Sequence, residues 1–177
     1  AAGTSYTAAD LTGELTIDGQ LNEPAWRSAP QSSDFHHLKE RAAGGAPAKT
    51  HFRILSGDDV ICIGVFCSEP QMSELQDKPV FRDGPVFSRD VIEMFIDPEG
   101  EGVNYYQLVV NAANDQWDAY YIEGGNTQGG DYSSFWESAV HKGTDFWSLE
   151  VRIPLSAFYY TDSAAFADQW RLNISRQ

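Results

Sequence analysis

Apolar and polar residues alternate along much of this chain with a period of two. Thr50 to Leu55 alternates, and Val60 to Cys67 follows the turn Gly57-Asp58-Asp59; together they predict a hairpin. The spacing predicts further strands over 90–97, 105–111, 117–122, 136–141, 147–153 and 170–177. In the first of these, Ile92, Met94 and Ile96 share one face, and Val91, Glu93 and Phe95 take the other. In the next, Tyr106, Leu108 and Val110 stand opposite Tyr105, Gln107, Val109 and Asn111. Trp147, Leu149, Val151 and Ile153 make a continuous apolar face, and Trp170, Leu172 and Ile174 point inward in the last strand. Helical periodicity is scarce. One turn is expected over 23–29, with Pro24 at a first-turn position, and another over 155–158, after Pro154 ends its strand.

Turn signals recur between these runs: Asp18-Gly19, Gly44-Gly45, Asp83-Gly84-Pro85, Asp97-Pro98-Glu99-Gly100, Gly124-Gly125, Gly129-Gly130 and Lys142-Gly143. Short strands between evenly spread turns predict an all-β fold, an antiparallel β-sandwich of jelly-roll-like kind with one or two short helical turns. The 177 residues contain no internal repeat or long linker and fit a single domain, 1–177.

Charge narrows the partners. Asp and Glu number 26 against 12 Lys and Arg, a net charge of −14. A field of that sign repels phosphate backbones and anionic membrane surfaces, so nucleic acid is excluded as a partner. No apolar run approaches the roughly 20 residues of a membrane helix, so membrane insertion is not expected. The acidity is compatible with neutral glycans and with Ca²⁺, which takes clustered oxygen ligands. Ala1-Ala2-Gly3-Thr4-Ser5 is compatible with the start of a mature secreted chain. Cys62 and Cys67 lie five residues apart on one predicted strand, roughly 16 Å and on opposite faces. A disulfide needs Cα atoms within about 7 Å, so both are expected as buried thiols.

With the apolar sides assigned to the core, Glu93, Gln107, Asn111, Arg171, Asn173 and Ser175 fall on one opposite, polar surface. Carboxylate, amide and guanidinium groups in a row suit the vicinal hydroxyls of a sugar. Phe87, Tyr105, Trp117, Tyr121 and Trp136 could supply the apolar platform that sugar C–H groups need. An ordinary solvated sheet face is the alternative. The pairs Asp58/Asp59 and Asp97/Glu99 sit at predicted turns, and no Gly-x-Ser-x-Gly or His-Glu-x-x-His is present, so no catalytic residue is expected. Asp18, Asn22 and Glu23 are spaced as calcium ligands; a turn with a helix cap is the alternative. The segment 97–101 is a second acidic turn of the same kind.

Several segments together resemble carbohydrate-binding module family 9, within the wider DOMON-like β-sandwich superfamily. They begin with Ile17-Asp18-Gly19 and Leu21-Asn22-Glu23-Pro24-Ala25-Trp26, followed by the 49–65 hairpin. Phe81-Arg82-Asp83-Gly84, Val86-Phe87 and Arg89-Asp90-Val91-Ile92-Glu93-Met94-Phe95-Ile96-Asp97-Pro98 are the most specific. Tyr105-Tyr106-Gln107, Asn111-Ala112, Trp117-Asp118, Trp136-Glu137-Ser138-Ala139 and the 147–155 run complete the match. The resemblance implies a β-sandwich, structural Ca²⁺ and a non-catalytic module, secreted or at the cell surface, that binds glycan or polysaccharide. It implies that Phe87 is the first of two sandwiching aromatics, and that Glu93, Asn111 and Asn173 bind sugar. Val109 stands where sugar-binding members carry an arginine, and up to Gln177 the second sandwiching tryptophan has no counterpart. A structural or adhesive domain, packed against other domains or subunits of a surface assembly, is therefore the second expectation. A haem-binding relative would need a Met and a His as axial ligands, here Met72 with His36, His37, His51 or His141.

Overall fold

The expected strands form, and their register decides which side chains share a surface. The computed structural model describes residues 4–35, 49–125, 127–128, 131–160 and 166–177. His36, His37, Gly44-Gly45 and Gly129-Gly130 lie outside the described residues, as do Ala1 to Gly3. The elements are, in chain order, β1 (Ala9–Asp10), the single-turn helix α1 (Pro24–Ser28), β2 (Thr50–Ser56), β3 (Val60–Ser68), β4 (Val91–Asp97) and β5 (Tyr105–Asn111). They continue with β6 (Gln116–Ile122), β7 (Thr127–Gln128), β8 (Glu137–Lys142), β9 (Phe146–Pro154) and β10 (Arg171–Arg176). The all-β, two-sheet class expected of a β-sandwich is what the chain has. Among the described residues one sheet runs β1-β2-β3-β9-β8 and the other β10-β4-β5-β6-β7. Every pairing is antiparallel except β1 with β2. The short turn expected after Pro154 is a 3₁₀ turn at Leu155–Ala157.

Two compact units hold these sheets, 1–74 with 136–155, and 75–135 with 156–177. In the first, β9 lies between β3 and β8. Its apolar residues Trp147, Leu149, Val151 and Ile153 are fully buried, with Ile63, Val65 and Cys67 of β3. The other face of β3 is buried too. There Cys62 packs in a cluster with Leu15, Ala25, Trp26, Ala29 and Leu55, so the segment around α1 covers the sheet. Gly64 makes this close approach possible. A Cβ there would lie 2.3 Å from Leu21 Cδ2 and 3.2 Å from the Trp26 ring.

Both cysteines are buried and outside any disulfide, as the spacing required. Burial pushes the Cys62 thiol above its ordinary range. Neither is expected to take up iodoacetamide in the native protein, while both are labelled in denaturant, by intact mass. Labelling of either at the denatured rate would contradict this packing.

In the second unit, β4 sits between β10 and β5. Ile92, Met94, Ile96, Tyr106, Leu108 and Val110 are buried on one face, as the alternation predicts. Ile174 of β10 is buried with them, while Leu172 and Trp170 are only half-buried.

Candidate functional site

Directly paired residues of neighbouring strands project to the same side of a sheet. Ser175, Glu93, Val109 and Trp117 therefore form one row across β10, β4, β5 and β6, and Asn173, Phe95, Gln107 and Ala119 form the next. The polar face predicted from alternation is thus assembled around Glu93, which is only 6% exposed. Gln107 Nε2 donates to Glu93 Oε2 at 2.6 Å. Ser175 Oγ donates to Oε1 at 3.5 Å, and Gln177 Nε2 donates to the same oxygen. Gln177 was not expected here. It continues the 171, 173, 175 parity, which was the signal for it.

Phe87 lies at the rim. The 3₁₀ turn Val86–Ser88 lays Val86 against Val91 and Val109, and all three are fully buried. Phe87 is left 41% exposed, its ring edge-on to Trp117 at 5.0 Å. Val109, at the position where the resemblance suggests an arginine, thus supports an apolar patch beside Glu93. On the other side, Tyr105 stacks on Tyr121 at 5.2 Å, and Asn173 is exposed beside Phe95.

Two expected residues are placed differently. Asn111 is fully buried at the end of β5. Its Oδ1 accepts the N–H groups of Ala113 (3.0 Å) and Asp115 (2.8 Å), and its Nδ2 donates to Asp115 Oδ2 at 2.9 Å. The side chain closes the β5–β6 turn, as Asn does where a backbone needs local partners. Trp136 is buried rather than a surface platform.

One strong feature was not anticipated. Asp118 projects from β6 with no side-chain exposure, and Arg82 pairs with it. The same guanidinium reaches Gln116 Oε1 and, at 2.8 Å, the Ser134 carbonyl. The resemblance at 81–84 implies no such role for Arg82.

The calcium expectation fell on Asp18, Asn22 and Glu23. Asp18 and Glu23 do lie together, but with Glu150 of β9 as the third group, their ligand atoms within 4.8 Å of one another. Asn22 is exposed and donates to Gln20. Glu150 is fully buried. Its Oε2 accepts the N–H groups of Asp18 and Gly19, both at 2.8 Å, and its Oε1 accepts Leu21 N–H (3.1 Å) and Trp26 Nε1–H (2.7 Å). Four donors fill the lone-pair directions of one carboxylate. Burial still raises its pKa, and the Gly19 and Asp18 N–H groups and the Trp26 indole oppose the rise. Both Asp18 oxygens accept from Gln20, and Glu23 Oε1 accepts Thr16 N–H, which leaves Glu23 Oε2 as the buried oxygen with no hydrogen-bond partner. Ca²⁺ takes six to eight oxygens, backbone carbonyls and water among them, and of these Asp18, Glu23 and Glu150 would supply the carboxylate part. The second acidic turn is similar. Asp97 accepts N–H groups from Glu99, Gly100 and Gly102 at 3.1, 2.8 and 2.6 Å, so its carboxylate closes the turn.

On one face, then, an antiparallel sheet carries a recessed carboxylate, two amides and a rim aromatic. Residues 17–169 match the family described as carbohydrate family 9 binding domain-like, and the chain belongs to that family. Among solved structures, it is similar to a candidate carbohydrate-binding protein from Bacteroides uniformis ATCC 8492. That match has 16% identity and a TM-score of 0.74 over 99% of this chain and 84% of the other. It is also similar to a family 9 carbohydrate-binding module from Caldicellulosiruptor kristjanssonii. In complex with glucose that module matches at 16% identity and TM-score 0.60, over 86% of this chain and 69% of that one. Its cellotriose complex matches at 16% identity and TM-score 0.58, over 85% and 67%. No curated protein matches the chain.

Proposed function

We propose that this chain is a non-catalytic carbohydrate-binding module whose ligand meets the sheet face around Glu93 and Phe87. The observation that carries this reading is the Glu93 carboxylate, held in one orientation by Gln107, Ser175 and Gln177 beside the exposed Phe87 ring. A fixed carboxylate takes hydrogen bonds from a sugar diol, and the ring covers the sugar's apolar face. The glucose and cellotriose bound by the Caldicellulosiruptor module make these the first ligands to try. An extracellular or cell-surface setting goes with a polysaccharide ligand, and cell fractionation checks it.

In calorimetric titrations with glucose and cellotriose, Glu93→Gln is expected to weaken binding about 10- to 100-fold, the size of a hydrogen bond to a charged group. Phe87→Ala is expected to weaken it about 10-fold. Binding left unchanged in both variants would sink the reading. The near-complete burial of Glu93 favours a second reading, a structural or adhesive domain in which the same hydrogen bonds only hold β4 to β5 and β10. In that case the unaltered chain binds neither sugar, and Glu93→Gln lowers the melting temperature alone.

A further inference from the structure

On the side of β5 and β6 that faces away from Glu93, five tyrosine rings close a circuit of contacts. Tyr106 meets Tyr120 at 4.6 Å, and Tyr120 meets Tyr160 at 5.0 Å. Tyr160 meets Tyr159 at 4.5 Å, Tyr159 stacks on Tyr132 at 5.2 Å, and Tyr132 returns to Tyr106 at 5.1 Å. The circuit runs from the interior to the surface. Tyr106, Tyr120 and Tyr132 are buried, while Tyr159 and Tyr160 are 49% and 43% exposed. We infer that Tyr159 and Tyr160 are a site of oxidative cross-linking, where a one-electron oxidant, a haem peroxidase with hydrogen peroxide, joins two copies of this chain through a dityrosine bond. The inference does not depend on the carbohydrate reading.

Three observations carry it. The first is the environment of the rings. A ring that loses an electron becomes positive, and neighbouring ring faces and carboxylates stabilise that charge. Tyr160 has three tyrosine neighbours, and the charges of Asp131 and Asp118 act on Tyr160 and Tyr132. The second is the route of the proton. Tyr132 Oη donates to the Ala157 carbonyl at 3.0 Å, which is no base, and burial pushes the Tyr132 and Tyr120 phenols above their ordinary range. The Tyr159 and Tyr160 side chains, by contrast, reach water, which takes the proton. The third is access. Of the eight tyrosines, all among the described residues, Tyr159 and Tyr160 are the exposed ones. The step balances. Each of two phenols gives one electron to the oxidant and its hydroxyl proton to water. The two radicals join through the ring carbons beside the hydroxyls, and the hydrogens on those carbons pass through water to the oxygens. Two tyrosines and one hydrogen peroxide become one dityrosine and two waters. Copies with a net charge of −14 repel each other, and physiological salt screens this beyond about 8 Å.

The test treats the folded chain, in physiological salt, with a haem peroxidase and hydrogen peroxide. A covalent dimer is expected on a denaturing gel, together with dityrosine fluorescence. Mass spectrometry of the digested dimer is expected to place the bond in the peptide that contains Tyr159 and Tyr160. The double variant Tyr159→Phe/Tyr160→Phe keeps both rings and removes both hydroxyls, and it is expected to lose the dimer. Mapping on the unaltered chain decides the question even where the variant is destabilised. A dimer that persists in the double variant overturns the inference. So do bonds that map to the half-buried Tyr6, Tyr105 or Tyr121, dityrosine confined to the monomer, or no dityrosine at all.

Discussion

Replacing Glu150 with alanine is expected to lower the unfolding free energy by about 3–5 kcal/mol, a large part of the 5–15 kcal/mol typical of a domain. The side chain is fully buried and accepts four hydrogen bonds from Asp18, Gly19, Leu21 and Trp26. Alanine leaves four donors facing a void, and each unpaired buried donor costs about 1–3 kcal/mol unless water reaches it. The loss also frees the segment over β3 and β9, because Glu150 binds its turn and Trp26 together. Urea unfolding at neutral pH measures the effect, and a loss under about 1 kcal/mol would rule out this role. The pH dependence has a definite sign. Burial raises the Glu150 pKa above its ordinary 4.5, so between these two values the native state holds more protons than the unfolded chain. The contribution of Glu150 is therefore greatest below about pH 4.5 and declines as pH rises through the raised native value. The substitution should cost more in mild acid than at pH 8.

Arg82→Ala is the second large effect expected, a loss of about 2–3 kcal/mol. Breaking a buried ion pair typically costs about 3–5 kcal/mol because one charge stays buried. Here Asp118 has no side-chain exposure, but Arg82 is 36% exposed, and solvent screening on its side reduces the figure. The substitution also removes the link from the 81–84 segment to Ser134. At about 2–4 °C per kcal/mol for a chain of this size, the melting temperature should fall by about 4–12 °C. The cycle with Asp118→Asn separates causes. If the buried charge is what matters, Arg82→Ala costs much less in the Asp118→Asn background. An equal cost in both would place the effect in the Gln116 and Ser134 contacts instead.

Much of this was legible from periodicity alone. The strands at 50–56, 60–68, 91–97, 105–111 and 146–154 each fell within a residue or two of their alternating runs, and the face shared by Glu93, Gln107, Asn173 and Ser175 followed from parity. Alternation reports which residues share a side. It does not report what lies over that side. Glu150 therefore carries no local signal beyond its parity in β9, although the segment 18–26 covers it and supplies its donors. Val109 stood on the polar face by parity, yet Val86 buries it. Asn111 had the right parity for a ligand, but it sits at a strand end, where the turn engages its amide. The Arg82–Asp118 pair spans 36 residues, beyond the reach of any local pattern.

The anchoring of residues 18–26 by Glu150 also sets a timetable. Its four hydrogen bonds join residues 124 to 132 positions apart in the chain. Contacts at such separation form late, because a long loop must close before they reward it. At about 5–20 residues per second of synthesis, the segment leaves the ribosome roughly 6–26 s before its carboxylate partner exists. Through that interval Leu21, Ala25 and Trp26 have β2 and β3 to pack on, but not the carboxylate that fixes their turn in place.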